Sequence, residues 1–225
     1  MTQIRVIITG ATGMVGEGVL LECLNNPAVG EVLIVNRRHF EGQHAKLTEL
    51  LVPDFRQAGE FSGHLKGYDA CFFCAGISSV GMKEDKFRSI TYDTTLSFAK
   101  ALLAVNPQMA FTYVSGAHTD SSEKGRIMWA RVKGKTENDL ATLGFRAEYN
   151  FRPGVIAPFP EQKNWRPVFR FIVKVIKALF PASVLTLHEI GQAMINAVTI
   201  GYPKNVLEIK DIRTLASATA DRTNP

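Results

Sequence analysis

The chain has 225 residues, of which 46% are hydrophobic and 21% charged, with a formal net charge of +5. That length is enough to bury a full core beneath one sheet, and the apolar share excludes a disordered or fibrous chain. The positive excess is spread without a run of five like charges, which suits small anionic ligands better than nucleic acid, and no 18-residue apolar stretch is present to span a membrane.

Residues 4–8 form a β-branched apolar run of the kind buried on both faces of a parallel sheet. The N-terminus enters this strand at once, without room for a signal peptide, so the expected compartment is cytoplasmic. Gly10, Gly13 and Gly16 follow at three-residue spacing, before Val15, Val19, Leu20 and Leu24 begin a helical apolar pattern. Strand, glycine turn and helix in that order are the setting in which a dinucleotide is held. Glycines let backbone come within contact distance, and the amides at the helix start, through Thr12, Gly13, Met14, Val15 and Gly16, attract a pyrophosphate. The alternative is a purely structural glycine turn.

Residues 25–30 break the helix, and 32–35 are the second predicted strand. Its end decides between cofactors: an Asp or Glu there accepts the ribose hydroxyls of NAD, whereas arginine accommodates a 2′-phosphate. Asn36, Arg37 and Arg38 supply no acid, so NADP(H) is expected over NAD(H). The competing reading makes the two arginines solvated loop charge. Residues 46–52 are the third strand, followed by Pro53 and a polar connection to Gly67. Residues 68–74 are the fourth, ending in Ala75 and Gly76, where a second close backbone approach to the cofactor is expected.

Cys71 and Cys74 have a redox or metal spacing, but they lie in a strand whose period of two sends them to opposite faces. Packing as small hydrophobes is the expectation, and Cys23 lies in the first helix with no partner visible in the sequence. Residues 83–104 read as one long helix, 110–116 as strand five, 124–143 as a helix ended by Gly144, and 148–152 as strand six, stopped by Pro153 and Gly154. Strands alternating with helices predict an α/β fold, a doubly wound Rossmann-type parallel sheet with ligands at the carboxyl ends of its strands.

Residues 157–200 are expected to form a small C-terminal helical lid within a single NAD(P)-binding domain spanning 1–225. In the predicted helix 165–180, Arg166, Arg170, Lys174 and Lys177 fall within about 80° of one another on a helical wheel, and apolar residues cover most of the remainder. Such a helix could lie on an anionic membrane surface, line a substrate pocket, or cap the core with its charges in water; its apolar side could also be a homodimer or partner face. Residues 188–200 are a further helix and 206–209 a short strand.

On Thr9 through Gly16, Asn36-Arg37-Arg38, Ala75-Gly76, Val114-Ser115, Val132-Lys133-Gly134 with Glu137, Phe151 through Val155, and Arg166-Pro167, the chain resembles the atypical short-chain dehydrogenase/reductase superfamily. It is similar to the branch related to nucleotide-sugar epimerases, and within it to the compact group of Tat-interacting oxidoreductase-like proteins; the match runs from residue 4 to about 210. The resemblance implies that Lys133, Pro153, Val155 and Arg166 join the cofactor site. It also implies a catalytic set in which a serine after strand five binds the substrate oxygen, a tyrosine transfers the proton, and a lysine one helical turn later holds the nicotinamide ribose. Ser115 and Lys133 fill two of those places.

The third place departs from the pattern: Trp129, not tyrosine, stands four residues before Lys133. An indole N–H donates a hydrogen bond but cannot act as a general acid, and the spacing puts both side chains on one helix face. His118, Asp120, Tyr113 and Tyr92 are the nearby titratable residues that could supply the proton, and no spacing singles one out. Two functions follow. One is an NADP(H)-dependent oxidoreductase acting on a small carbonyl or alcohol; the other is a catalytically impaired, NADP(H)-loaded sensor or scaffold. An epimerase or dehydratase is a weaker third, because only about seventy residues follow strand six.

Overall fold

A computed structural model describes residues 3–159, 173 and 179–219. The apolar run at the N-terminus is β1 (Ile4–Thr9), and the glycine turn leads into α1 (Met14–Asn25). There follow β2 (Val29–Asn36), β3 (Leu47–Leu51), a 3-10 turn (Phe55–Phe61), the single turn α2 (Ser62–Leu65) and β4 (Ala70–Phe73). After α3 (Glu84–Arg88) a π turn (Ser89–Asp93) runs into α4 (Thr94–Val105), then β5 (Ala110–Val114), α5 (Met128–Ala141) and β6 (Ala147–Arg152). The last elements are β7 (Val155–Ala157), β8 (Val184–Thr186), α6 (Leu187–Thr199), β9 (Val206–Glu208) and α7 (Ile209–Ala216).

Seven strands form one parallel sheet in the order β3-β2-β1-β4-β5-β6-β9. The chain winds outward from β1 and then crosses back to β4, which opens a crevice at the carboxyl ends of these two strands. Their register pairs Thr9 with Phe73, so Gly10 leaves the sheet beside Cys74 and Ala75. One face of the sheet, carrying Val6, Ile8, Phe72 and Phe151, packs with Val19 and Leu20 of α1 and Ile190 and Met194 of α6. The other face carries Ile7, Cys71, Phe73 and Phe111, covered by Phe98 and Leu102 of α4. Cys71 and Cys74 belong to opposite layers, as strand parity requires.

Four features differ from the sequence expectations. The 83–104 helix is interrupted by the π turn, where Thr94 Oγ1 donates to Ser89 O at 3.1 Å, Thr95 Oγ1 donates to Thr91 O at 2.5 Å, and the Tyr92 hydroxyl is anchored to Asp139 Oδ2 at 2.5 Å. The 53–67 connection, read from the sequence only as polar, carries helical turns, because Asp54 caps them and Phe55, Ala58 and Leu65 have a buried face to fill. The 206–209 strand becomes a seventh member of the main sheet and hands over to a terminal amphipathic helix, while β7 and β8 form a separate parallel pair.

The fourth concerns the lid. Residues 187–199 are a layer helix, not part of a cover: a Cβ on Gly18 would lie 2.7 Å from Leu187 Cβ and one on Gly191 2.6 Å from Glu22 Cβ, so the two glycines let α1 and α6 pack tightly. Apart from Val173, Leu179 and Phe180, the predicted 165–180 helix and its Arg166 lie outside the described residues. No helix among the described residues is long and apolar enough to cross a membrane.

Candidate functional site

The turn between β1 and α1 is closed by its own backbone. Gly10 has φ +72°, and a Cβ there would lie 2.8 Å from Ala75 Cα; a Cβ on Gly16 would lie 2.1 Å from Gly10 O. Gly13 N donates to Gly10 O at 2.9 Å, and Gly13 caps α1 without a side-chain hydrogen bond. A tight turn whose closest backbone approaches are made at glycines, placed at a helix start, fits the pyrophosphate of an NAD(P) cofactor.

In front of this turn lies a cavity of about 590 Å³. Of the residues expected at the cofactor, Gly10, Thr12 and Gly13 line it from the turn, Asn36, Arg37 and Arg38 from the end of β2, and Ala75 and Gly76 from the end of β4. Met14, Val15 and Gly16 form the first turn of α1 without lining it, and Pro153 and Val155 are on the far side of the sheet's switch point. Asn36 is committed elsewhere: its amide donates to Glu49 Oε1 at 3.2 Å. Glu49 also accepts from Phe40 N at 2.9 Å and meets His39 Nδ1 at 2.5 Å, so the loop bearing the two arginines is tied to β3. Burial opposes ionisation of Glu49, but these hydrogen bonds outweigh it and hold the carboxyl below its ordinary range.

Sequence reasoning missed two further walls. Asp54, Phe55 and Arg56 come from the turn after β3, and Ser89 and Ile90 of the π turn and Thr94 at the start of α4 supply the other. An Asp three residues past the end of a strand is a capping signal that could have revealed the first. The second leaves no mark in an apolar period.

The residues expected to be catalytic come from the end of β5 and from α5. Ser115 is buried and its Oγ donates to Phe151 O at 3.2 Å. Lys133 Nζ donates to the carbonyl of Ser115, and burial pushes its pKa down to about 8, against the opposing pull of the Glu137 carboxylate. The Trp129 ring shares the Lys133 side of α5, its Cζ3 3.9 Å from where a Cβ on Gly116 would be. Thus the serine, the lysine and the indole gather around the end of β5 and the first turns of α5, and none of the three lines the cavity.

The other proton donors suggested by the sequence are mostly occupied. Tyr92 donates its proton to Asp139. Tyr113 is buried in the α4 layer, which pushes its pKa far up. Asp120 accepts from Ser122 Oγ and Gly125 N, both at 2.6 Å, which keeps it ionised to lower pH. His118 is exposed with φ +66°.

Behind Lys133, Arg152 donates through Nε to Glu137 Oε1 at 3.0 Å, and through Nη2 to the other Glu137 oxygen and to Ser121 Oγ, the latter at 2.5 Å. A Cβ on Gly134 would lie 1.9 Å from Asp120 O, so the loop after β5 sits directly on α5. The arginine of the Arg-Pro-Gly segment is therefore a brace for this corner.

Residues 6–124 match the model of the NAD dependent epimerase/dehydratase family. The chain belongs to that family. It is 28% identical over 207 residues to "Protein fmp52, mitochondrial" of Emericella nidulans, covering 86% of each chain. It is 29% identical over 158 residues to "Protein HTATIP2" of Rattus norvegicus, covering 69% of this chain and 64% of that protein. Among solved structures, a UDP-N-acetylglucosamine 4-epimerase from Methanobrevibacter ruminantium M1 superposes with a TM-score of 0.66 at 17% identity, covering 92% of this chain and 76% of that one. Family membership and the glycine cradle together make this an NAD(P)-binding, oxidoreductase-like protein.

Proposed function

We propose that the chain prefers NADP(H) and exchanges a hydride with a small carbonyl or alcohol substrate. The observation that carries the cofactor preference is the position of Arg37 and Arg38 in the wall of the cavity that begins at Gly10, Thr12 and Gly13. An acid at that place would bind the ribose diol of NAD, whereas guanidinium groups meet a 2′-phosphate. When bound, the dinucleotide supplies or accepts the hydride. The start of α1 takes the diphosphate through its amides and dipole.

At the reacting end, Ser115 Oγ turns from Phe151 O to the substrate oxygen. Lys133 Nζ delivers the proton to that oxygen as it gains charge, a role the Trp129 indole cannot fill. With a pKa of about 8 the amine holds its proton at neutral pH and is a stronger acid than an ordinary lysine. Calorimetry should find NADP⁺ bound at least about tenfold more tightly than NAD⁺. A carbonyl panel should then reveal NADPH oxidation. Equal affinities remove the preference, and a broad panel without turnover by cofactor-loaded protein removes the reductase.

A second reading, an NADP(H)-loaded sensor or scaffold, is supported by Trp129 in the place of the tyrosine and by the bonds that occupy Tyr92 and Asp120. Trp129→Tyr separates the two. A large gain of reductase activity at unchanged cofactor affinity supports the sensor, and a wild type that already turns over faster than the variant eliminates it.

A further inference from the structure

Arg37 and Arg38 leave the sheet next to a second charged segment. β2 pairs with β3 so that Asn36 stands opposite Leu51, and Val52 N donates to Asn36 O at 2.8 Å. The segments that follow, 37–38 and 53–56, therefore begin side by side, and Arg37, Arg38, Asp54 and Arg56 all line the same cavity.

Arg56 is fixed in this wall from both sides. Its neighbour Phe55 is buried against Phe98 and Phe73, with ring centroids 5.0 and 6.4 Å away. The Asp54 side chain accepts from Arg56 N at 3.0 Å, capping the 3-10 turn. The same carboxylate holds the guanidinium, with Nε 3.0 Å from both oxygens and Nη2 2.5 Å from Oδ2. Arg37 adds to the field that keeps Asp54 ionised, after the hydrogen bonds from Arg56.

Resting on the NADP(H) reading above, we propose that Arg56 is a third ligand of the ribose 2′-phosphate, and that Asp54 holds its guanidinium in position until the phosphate takes over. The chemistry of the exchange is direct. A carboxylate and a phosphate monoester both present paired oxygens to a planar guanidinium, and the monoester carries more charge. Three guanidinium groups share this wall with one carboxylate, leaving two positive charges unmatched among those four side chains. A monoester carries about −1.5 to −2 at neutral pH, close to that excess. NAD, which ends in a ribose hydroxyl, gains nothing from Arg56, so the residue sets specificity rather than general affinity.

The test uses adenosine 2′,5′-bisphosphate and AMP as probes, bound to the full chain and measured by calorimetry. In the wild type the bisphosphate binds more tightly; equal binding there sinks the NADP(H) reading itself, before any variant is made. Arg56→Ala keeps the backbone cap and should weaken the bisphosphate about tenfold while leaving AMP within about twofold. Asp54→Asn keeps an oxygen for the cap and removes the competing charge, so the preference for the bisphosphate should rise about two- to fivefold. A ratio unchanged in Arg56→Ala, or both probes weakened alike, overturns the role of Arg56. A ratio in Asp54→Asn at or below that of the wild type overturns the exchange. Repeating the comparison with NADP⁺ and NAD⁺ should reproduce both changes.

Discussion

Glu148 on β6 is a carboxyl 5% exposed beneath α5. Burial, and then the nearby Glu137 carboxylate, push its pKa up to about 8. The folded protein therefore holds a proton there that the unfolded chain releases. The stability contributed is complete below the ordinary carboxylate range and is lost as pH rises through about 8. At about 1.4 kcal/mol per pH unit across that window, the ceiling is about 5 kcal/mol, and water penetration and relaxation bring it to about 2–3 kcal/mol. Glu148→Gln keeps the shape of the protonated acid and has no proton to lose. At pH 8 it should be the more stable protein by that amount, and near pH 4.5 it should match the wild type. For a chain of this size each kcal/mol moves Tm by about 2–4 °C, so calorimetric melts should separate by about 4–12 °C at pH 8 and converge in acid. Parallel melts from pH 5 to 8, or a variant that is less stable at pH 8, would show that Glu148 carries no proton in the folded state.

Gly16→Ala places a Cβ 2.1 Å from Gly10 O, with backbone on both sides of the clash; dinucleotide binding should vanish in calorimetry, and stability should fall by about 2 kcal/mol or more. Arg152→Met leaves the Glu137 carboxylate buried without its partner and should cost about 3 kcal/mol in urea unfolding, with the NADP⁺ to NAD⁺ ratio unchanged. If Lys133 supplies the proton, the NADPH oxidation rate should fall as pH rises through about 8, because only the protonated amine donates. Lys133→Met should lower that rate by about a hundredfold and flatten its decline with pH.

The walls of the cavity nearest β1 and β2 were legible because their signals are local. Gly10 and Gly13 after the β1 run, and Arg37 and Arg38 after β2, stand out within a few residues of chain, and all four line one cavity. Asp54 left only a capping signal, and the placement of Arg56 beside Arg37 and Arg38 comes from the β2 to β3 register, a pairing no local pattern announces. The π turn was hidden because one extra residue in a helix shifts the apolar phase without a glycine or proline to mark it. β7 and β8 have three residues each, too short to display a period. In α7, Ile209, Ile212 and Leu215 do repeat along one face, but Ile209 also continues the preceding strand and was absorbed by it. The departure at Trp129 was plain from spacing alone, whereas the bonds that occupy Tyr92 and Asp120 are tertiary.

The missing side chain at Gly134 fastens the loop after β5 onto α5, and Asn138, one turn further along, donates to Ser121 O at 3.0 Å. Loop and helix must then travel as one rigid block, with the serine and the lysine riding on it at constant spacing.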